Sequence, residues 1–138
     1  LKICLLNIKE QFPSKKIILL FGCGGNRDQN KRSKMGKIAS DFSDKIYLTD
    51  DNPRFENPDK IRRDIKKGIK RKKIIEISNR AKAIFEATKN LNTGEILLVA
   101  GKGHEKTQDL GKRKIYFSDK KIILKAIKIK NLNLSDSL

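Results

Sequence analysis

Two short apolar runs, each ended by a glycine, constrain the fold of this chain more than any other feature. Lys16–Phe21 reads KIILLF and is followed by Gly22, and Glu95–Ala100 reads EILLVA and is followed by Gly101. Runs of this length that are rich in isoleucine and leucine are typical of strands buried on both faces, as in a parallel sheet. The two runs therefore predict two buried strands.

Amphipathic helices and weaker strands are predicted around these two runs. Apolar residues at helical spacing, polar caps and a proline mark the helices. The first helix is predicted at Leu1–Gln11, the second across Met35, Ile38, Ala39 and Phe42, and the third from Asn57–Pro58 onward. The fourth begins at a Ser78 cap, runs across Ala81, Ile84, Phe85 and Thr88, and ends at Asn92–Gly94. The fifth begins at a Ser118–Asp119 cap and runs across Ile122, Ile123, Ala126 and Ile127. The weaker strands are predicted at Ile46–Leu48, Ile74–Ile77 and Lys114–Phe117, the last at an edge. Strands that alternate with helices predict an α/β fold, with a parallel sheet covered on both faces.

Length and composition indicate one domain that does not cross a membrane. The chain has 138 residues, of which 37% are hydrophobic, and no apolar run approaches the ~18 residues that a membrane helix needs. It does not begin with Met, so we expect a fragment of a longer chain. Cys4 and Cys23 form no CxxC pair, which excludes the usual zinc and redox motifs and fits a reducing cytoplasm.

The net charge of +17 leaves two interpretations open. The densest basic run is Lys60–Lys73, with nine basic residues and a single acid. Clustered lysine and arginine could bind the phosphates of a nucleic acid. Alternatively, isoleucines spaced along the run form the buried stripe of a helix, and its basic residues form the solvated outer face. Because no aromatic residues lie among the basic ones, the second interpretation is favoured and no nucleic acid is expected.

Three polar or glycine-rich loops follow predicted strands. They are Gly22–Arg32, Asp50–Arg54 and Gly101–Glu105. Ligands of parallel sheets bind beyond the carboxyl ends of the strands, so the three loops are expected to converge on one site. The first loop is not a dinucleotide fingerprint, because Arg27 stands where the third glycine would be. The Gly-Lys pairs of the chain also lack the rest of a P-loop, so no nucleotide cradle is predicted here.

The second loop carries the most specific chemistry. Arg54 offers a fork that fits a carboxylate, Asp51 suits an ammonium, and Asn52 offers both a donor and an acceptor. Pro53 fixes the backbone between them. A ligand that matches all of these groups is a zwitterionic amino acid. The alternative is an Asx turn that caps the next helix and leaves Arg54 on the surface.

The third loop adds one acid and the only histidine. Glu105 could hold a second ammonium. His104 could act as a general base, although a lone histidine in a loop is more often a hydrogen-bonding or solvent-facing residue. No metal constellation and no nucleophile–base pair is present, so no catalytic residue is predicted in this chain.

Three segments carry a resemblance to a known family. FGCGGNRDQNKRSKMGKIA, TDDNPR and LLVAGKGHE occur in this order, and the chain resembles the C-terminal domain of the Mur ligases. The resemblance runs from Leu1 to about Lys128. It implies a Rossmann-like, mostly parallel sheet with helices on both faces over residues 1–130, followed by a frayed tail at 131–138. The Asp-Asn-Pro-Arg string is typical of the Mur ligases that add meso-diaminopimelate, and lysine-adding relatives usually lack its arginine.

The resemblance also implies a reaction. Mur ligases of this group use ATP and Mg²⁺ to phosphorylate the D-glutamate carboxylate of a UDP-N-acetylmuramoyl dipeptide during peptidoglycan synthesis. The amine of diaminopimelate then attacks the acyl phosphate. The family's N-terminal UDP-sugar domain and central ATPase domain are absent from this sequence, so we expect the chain alone to be inactive. A cytoplasmic monomer is expected.

Individual residues take their expected roles from this resemblance. Arg27 and Arg54 are expected to hold a carboxylate of diaminopimelate, Asp51 and Asn52 its far amino-acid head, and Glu105 an ammonium. Gly101 would allow close approach of the backbone, and Pro53 belongs to the same motif. Asp28, Lys31 and Arg32 are expected near the nucleotide. A lysine-adding ligase of the same family and a basic nucleic-acid-binding module remain the alternatives.

Overall fold

A four-stranded parallel sheet forms the centre of the computed structural model, which describes residues 1–70 and 73–137. The elements in chain order are α1 (Lys2–Gln11), β1 (Lys16–Phe21), α2 (Asn30–Phe42), β2 (Lys45–Leu48), α3 (Pro58–Lys66), β3 (Ile74–Glu76), α4 (Arg80–Lys89), β4 (Glu95–Val99), β5 (Thr107–Asp109), β6 (Lys114–Tyr116) and α5 (Asp119–Ser137). The strand order is β3-β2-β1-β4, and every pair in this sheet is parallel. The predicted α/β fold and both predicted buried strands are therefore confirmed.

Strand β1 supplies side chains to both faces of the sheet. Leu19 pairs with Ile46 of β2 and with Leu98 of β4, so β1 lies between two neighbours and its backbone is fully paired. Alternate side chains point to opposite faces. One face packs Ile17, Leu19 and Phe21 against helices α1, α2 and α3 through Leu5, Ala39, Ile61 and Ile65. The other packs Ile18 and Leu20 against α4 through Ala83, Ile84 and Ala87, and against Phe117.

Helices α3 and α4 follow polar caps, and the cap of α4 differs from the prediction. Helix α3 begins at Pro58 as predicted, and the side chain of Asn57 accepts a hydrogen bond from the Asp59 amide at 2.9 Å. Helix α4 is capped by Asn79 rather than by Ser78, since the Asn79 side chain accepts from the Lys82 amide at 2.9 Å. The Ser78 hydroxyl instead donates to Asp50 at 2.6 Å.

A small hairpin departs from the predicted sheet. Strand β6, predicted as an edge strand, pairs antiparallel with β5 in a separate two-stranded sheet. The hairpin is held against the loop after β2, because the Gln108 side chain donates to the Asp51 carbonyl at 2.7 Å and the Arg54 amide donates to the Asp109 carbonyl at 3.0 Å. It therefore covers the loop that carries the Asp-Asn-Pro-Arg string.

The C-terminal segment is helical where a frayed tail was predicted. Helix α5 continues to Ser137, since residues 118–138 contain neither glycine nor proline to end it. Lys130 also ties α5 to the end of α4, as its ammonium donates to the Thr88 carbonyl at 2.8 Å. No helix in the described ranges is long and apolar enough to cross a membrane.

The sequence predicted that the basic residues of Lys60–Lys73 form the solvated face of a helix, and this prediction holds for only some of them. Arg62 is 6% exposed, and its guanidinium pairs with Asp50, Asp59 and Glu76. The helix turns this arginine inward because carboxylates at the ends of β2 and β3 lie within its reach. Arg71 and Lys72 of the same run lie outside the described residues.

Candidate functional site

The three predicted loops lie together at the carboxyl end of the sheet. Strands β1, β2 and β4 are neighbours and parallel, so the loops that leave them meet at one edge. The Gly25 amide donates to the Asn52 carbonyl at 2.7 Å. A Cβ atom on Gly25 would collide with the Pro53 carbonyl oxygen, so only glycine permits this contact between the first two loops. The predicted convergence is confirmed.

A cleft of about 420 Å³ opens between these loops. The residues that line it include Arg27, Asp28, Lys31, Asp51 and Gly101 from the predicted set, together with Cys23 and Met35. The Cys23 sulfur lies 3.6 Å from the Met35 sulfur. Burial raises the pKa of the Cys23 thiol from 9.0 to about 11, although nearby Arg32 opposes this shift. Since the thiolate is the reactive form, Cys23 contributes apolar surface to the cleft rather than a nucleophile.

Arg54 lies at the border between this cleft and a second one. Its backbone adopts a left-handed conformation, with φ of 53°, which is uncommon for a residue other than glycine. Its guanidinium donates to the Gly25 carbonyl at 2.9 Å and lines a neighbouring cleft of about 650 Å³ with Lys112 and Arg113. A Cβ atom on Gly24 would lie 2.8 Å from the Arg54 guanidinium and 3.4 Å from the Arg27 Cγ atom, so the Arg54 guanidinium and the base of the Arg27 side chain flank Gly24.

Lys102 links the second and third loops, although sequence reasoning did not select it as a site residue. Its side chain is fully buried, and its ammonium lies 3.3 Å from an Asp51 carboxylate oxygen and 3.5 Å from one of Glu105. It also donates to the Asn52 side-chain oxygen at 2.7 Å. The Asn52 amide nitrogen in turn donates to Glu105 at 3.3 Å. A lysine inside GKGHE was visible in the sequence, but its burial depends on partners about fifty residues away.

Arg32 does not line the cleft, in contrast to Asp28 and Lys31. It is 1% exposed, and its guanidinium lies 2.8 Å from Glu56 and 3.0 Å from Asp64. The hydrogen bond from Arg32 lowers the pKa of Glu56. Burial raises the pKa of Asp64, but hydrogen bonds from Arg32 and Lys60 outweigh it and the net shift is downward. The expectation that Arg32 reaches a nucleotide does not fit this position, because its side chain is buried and its two terminal nitrogens bind these carboxylates and the Gly24 carbonyl.

A second buried arginine fixes the bases of two site loops. Arg80 on α4 forms two hydrogen bonds of 2.7 Å with the carboxylate of Asp119. Its remaining donors bind the carbonyls of Asp50, at 3.2 Å, and of Ala100, at 3.1 Å. These carbonyls directly precede Asp51 and Gly101, so Arg80 anchors both loops where they leave the sheet.

Comparison with known proteins decides the family. A family model described as "Mur ligase, glutamate ligase domain" matches residues 1–103. The chain belongs to the Mur ligase family. This Mur ligase domain is also similar to a solved structure titled as that of a UDP-N-acetylmuramoyl-L-alanyl-D-glutamate–2,6-diaminopimelate ligase. The similarity has a TM-score of 0.85 and 33% identity over 94% of this chain and 28% of that one. The Rossmann-like expectation for the fold is thereby confirmed.

Curated relatives carry the same enzyme name. The ligase of Rickettsia rickettsii is 49% identical over 91% of this chain and 26% of its own length. That of Buchnera aphidicola subsp. Baizongia pistaciae is 48% identical over 98% of this chain and 27% of its own. That of Chlorobium phaeobacteroides is 46% identical over 86% and 23%. The Mur ligase domain therefore spans about a quarter of the length of these relatives.

The predicted residues of the third loop are exposed in this Mur ligase domain, whereas Pro53 of the second loop is buried. His104 and Glu105 are both exposed, and Gly101 has a φ of 115° that favours glycine. Within residues 1–70 and 73–137, no group of three or more His, Cys, Asp or Glu side chains is arranged to hold a metal ion.

Proposed function

We propose that this chain is the amino-acid-binding domain of an ATP-dependent ligase that adds meso-diaminopimelate to UDP-N-acetylmuramoyl-L-alanyl-D-glutamate. The observation that carries the proposal is the placement of two arginines and two carboxylates on converging loops. Arg27 and Arg54 flank Gly24, while carboxylates of Asp51 and Glu105 both lie within 3.5 Å of the Lys102 ammonium. The enzyme name shared by the relatives supports the proposal.

The charges of these residues match one end of diaminopimelate. Its far carbon carries both a carboxylate and an ammonium, whereas the same carbon of lysine carries only the ammonium. In the proposal, Arg27 and Arg54 take the carboxylate, and Asp51 and Glu105 take the ammonium. With lysine bound, Arg54 would be left without its ionic partner, which disfavours that substrate. Asn52, Pro53 and Gly101 shape the same loops.

The proposed reaction divides its work between this domain and the rest of the enzyme. Phosphorylation of the D-glutamate carboxylate by ATP is followed by attack of the diaminopimelate amine, which forms an amide bond and releases phosphate. This domain holds the incoming amino acid with its amine free to react. ATP and Mg²⁺ are proposed to bind mainly in segments outside these 138 residues, with Asp28 and Lys31 near the nucleotide. On this proposal the chain alone is inactive, and the enzyme is cytoplasmic because ATP and its UDP-linked substrate are cytoplasmic. The proposal also treats the enzyme as a monomer.

A chimera tests the proposal directly. The chain replaces the corresponding segment of the Rickettsia rickettsii relative, and phosphate release is measured with meso-diaminopimelate and with L-lysine. Wild type should turn over diaminopimelate selectively. Arg54→Ala should lower kcat/KM for diaminopimelate by about 30-fold or more, the effect of removing one partner of a buried charge pair. Arg63→Ala, which removes an exposed arginine of α3, is the matched control and should have no effect.

Two other outcomes would point elsewhere. Equal turnover of both amino acids, unchanged by Arg54→Ala, would favour a lysine-adding or unselective ligase of the same family. No turnover of either amino acid by a folded chimera would overturn the proposal.

A filter-binding titration of the chain against RNA and DNA tests the alternative of a basic nucleic-acid-binding module, which predicts binding that weakens steeply with salt. We expect only weak binding at physiological salt.

A further inference from the structure

The buried ammonium of Lys102 lies where the second loop, the third loop and the β5–β6 hairpin meet. Its side chain has no exposed surface. Besides Asn52, at 2.7 Å, it donates to the Thr107 carbonyl at 2.9 Å. A buried lysine needs such partners, because an unpaired ammonium away from water costs several kcal/mol. The position of Lys102 therefore constrains all three segments at once.

The charges around Lys102 do not balance. Carboxylates of Asp51 and Glu105 lie within 3.5 Å of this single ammonium, so the group of three carries one net negative charge. The contact with Asp51 is an ion pair without hydrogen-bond geometry, and that Asp51 oxygen has no hydrogen-bond partner. Its second oxygen faces Gly101, since a Cβ atom there would lie 3.3 Å from it. The excess negative charge suits a cationic group of a ligand.

Lys102 and the Asp109 backbone amide together determine how the Asn52 amide is turned. The Asn52 oxygen accepts from the Lys102 ammonium at 2.7 Å and from the Asp109 backbone amide at 3.0 Å. Both partners can only donate, so the oxygen must face them. The Asn52 nitrogen is left to donate to Glu105 and to a ligand. Asn52 can therefore contact a carboxylate of the ligand, and not its ammonium.

We propose that Lys102 is a positioning residue of the site. It orients Asn52 as a donor and leaves one negative charge on Asp51 and Glu105 to receive the ligand's ammonium. The proposal rests on the proposed function for the identity of the ligand. The placement of Lys102 itself is testable without any ligand.

Nuclear magnetic resonance of the 138-residue chain tests the placement. Lys102→Met removes the ammonium and keeps most of the side-chain volume, and Lys106→Met removes an exposed lysine of the same loop as the control. Lys102→Met should shift the Asn52 side-chain resonances and the backbone of both loops, while the core resonances of β1 stay in place. Lys106→Met should leave the Asn52 side chain unchanged. A folded Lys102→Met chain with unmoved Asn52 resonances would overturn the proposal.

If Lys102→Met does not fold, the placement of Lys102 is tested by nuclear magnetic resonance of the wild-type chain. The Lys102 ammonium should exchange its protons with water slowly enough to be observed and should show cross-relaxation with the Asn52 side chain. A rapidly exchanging Lys102 ammonium with no such connection would contradict the proposal.

Kinetics of the chimera separate positioning from a general loss of structure. Lys102→Met should raise KM for meso-diaminopimelate about 100-fold, the scale expected for misplaced binding groups, while KM for ATP stays unchanged. Lys106→Met should change neither constant. A parallel loss for both substrates, or no change for either, would show that Lys102 is not a positioning residue. An inactive wild-type chimera would count against the proposed function, and the resonance experiment would still decide the placement of Lys102.

Discussion

The arginines of the interior and those at the rim of the site have the same charge but opposite surroundings. Arg32, Arg62 and Arg80 are at most 6% exposed, and each is paired with carboxylates. At the rim, the side chain of Arg54 is 24% exposed and its nearest ion-pair contact is 4.0 Å long. Arg27 lines the cleft and is exposed. In a chain with a net charge of +17, positive charge does not mark a site. Arg27 and Arg54 differ from the interior arginines because, among the described residues, they have no close carboxylate partner and lie at the rim of the site loops.

Removing an interior arginine should cost the most stability. Arg80→Met leaves the Asp119 carboxylate buried without its partner and frees the carbonyls that precede two site loops. We expect a loss of about 3–5 kcal/mol in the free energy of unfolding, measured by urea denaturation. Lys82→Met, on the exposed side of the same helix, should stay within about 0.5 kcal/mol of wild type. If Arg80→Met lost less than about 1 kcal/mol, as for an exposed ion pair, the proposed difference between interior and rim arginines would be contradicted.

Separating the two loops that carry the rim arginines should cost less. In Gly25→Ala the new methyl group meets the Pro53 carbonyl oxygen, so the backbone must shift, and we expect about 3 kcal/mol of destabilisation from overpacking. At Gly103, where φ is 56° and the space for a Cβ atom is open, alanine should cost only about 1 kcal/mol of backbone strain. Equal losses in thermal and urea denaturation would show that the loops are not in close contact.

The interior arginines should also make stability depend on pH. Arg32 contributes to the lowered pKa of Glu56 and of Asp64. A carboxyl whose pKa is lowered by folding stabilises the protein at neutral pH, and this stabilisation is lost as the pH falls through the folded-state pKa. Melting temperatures measured from pH 7 to pH 3 should therefore fall on the acid side. Arg32→Met should be less stable at pH 7 and lose less on acidification; an unchanged slope would mean that this pairing does not control the acid response.

Removing a rim arginine should have the smallest effect on folding. In the described part of the chain no ion pair involves Arg27, so Arg27→Gln should change the free energy of unfolding by less than about 0.5 kcal/mol. The same variant in the chimera should raise KM for diaminopimelate because a carboxylate partner is lost. A clear loss of stability, with KM unchanged, would show that Arg27 supports the folded structure and does not bind the ligand.

Strands with strong apolar signals could be predicted closely, and weak ones could not. Lys16–Phe21 was predicted at both of its ends, because a continuous run of buried residues is visible in the sequence alone. Strand β5, with the sequence TQD, has no apolar residue and exists because its backbone pairs with β6 and its Gln108 binds the second loop. The helical continuation beyond residue 131 was missed because its polar residues were interpreted as a frayed end.

The environment of a candidate site residue could be predicted where it depends on local sequence, and could not where it depends on distant partners. The convergence of the loops follows from parallel strands, and Asp51 and Arg54 stand in a visible motif. Whether a lysine or arginine is free is decided by carboxylates far along the chain, such as Asp64 for Arg32 and Asp51 for Lys102. No spacing rule contains that information, so Lys102 was overlooked and Arg32 was placed in the wrong environment.

The two cysteines differ in a way that makes the chain easy to label. Cys4 is exposed on α1, whereas Cys23 is partly covered beside Met35 and its raised pKa leaves almost no thiolate at neutral pH. Maleimide reagents attack the thiolate, so a brief reaction near pH 7 should modify Cys4 first. A fluorophore can then be attached to α1 of the unmutated chain, away from the residues that line the cleft, and its anisotropy used to follow association with the remaining segment of the Rickettsia rickettsii relative.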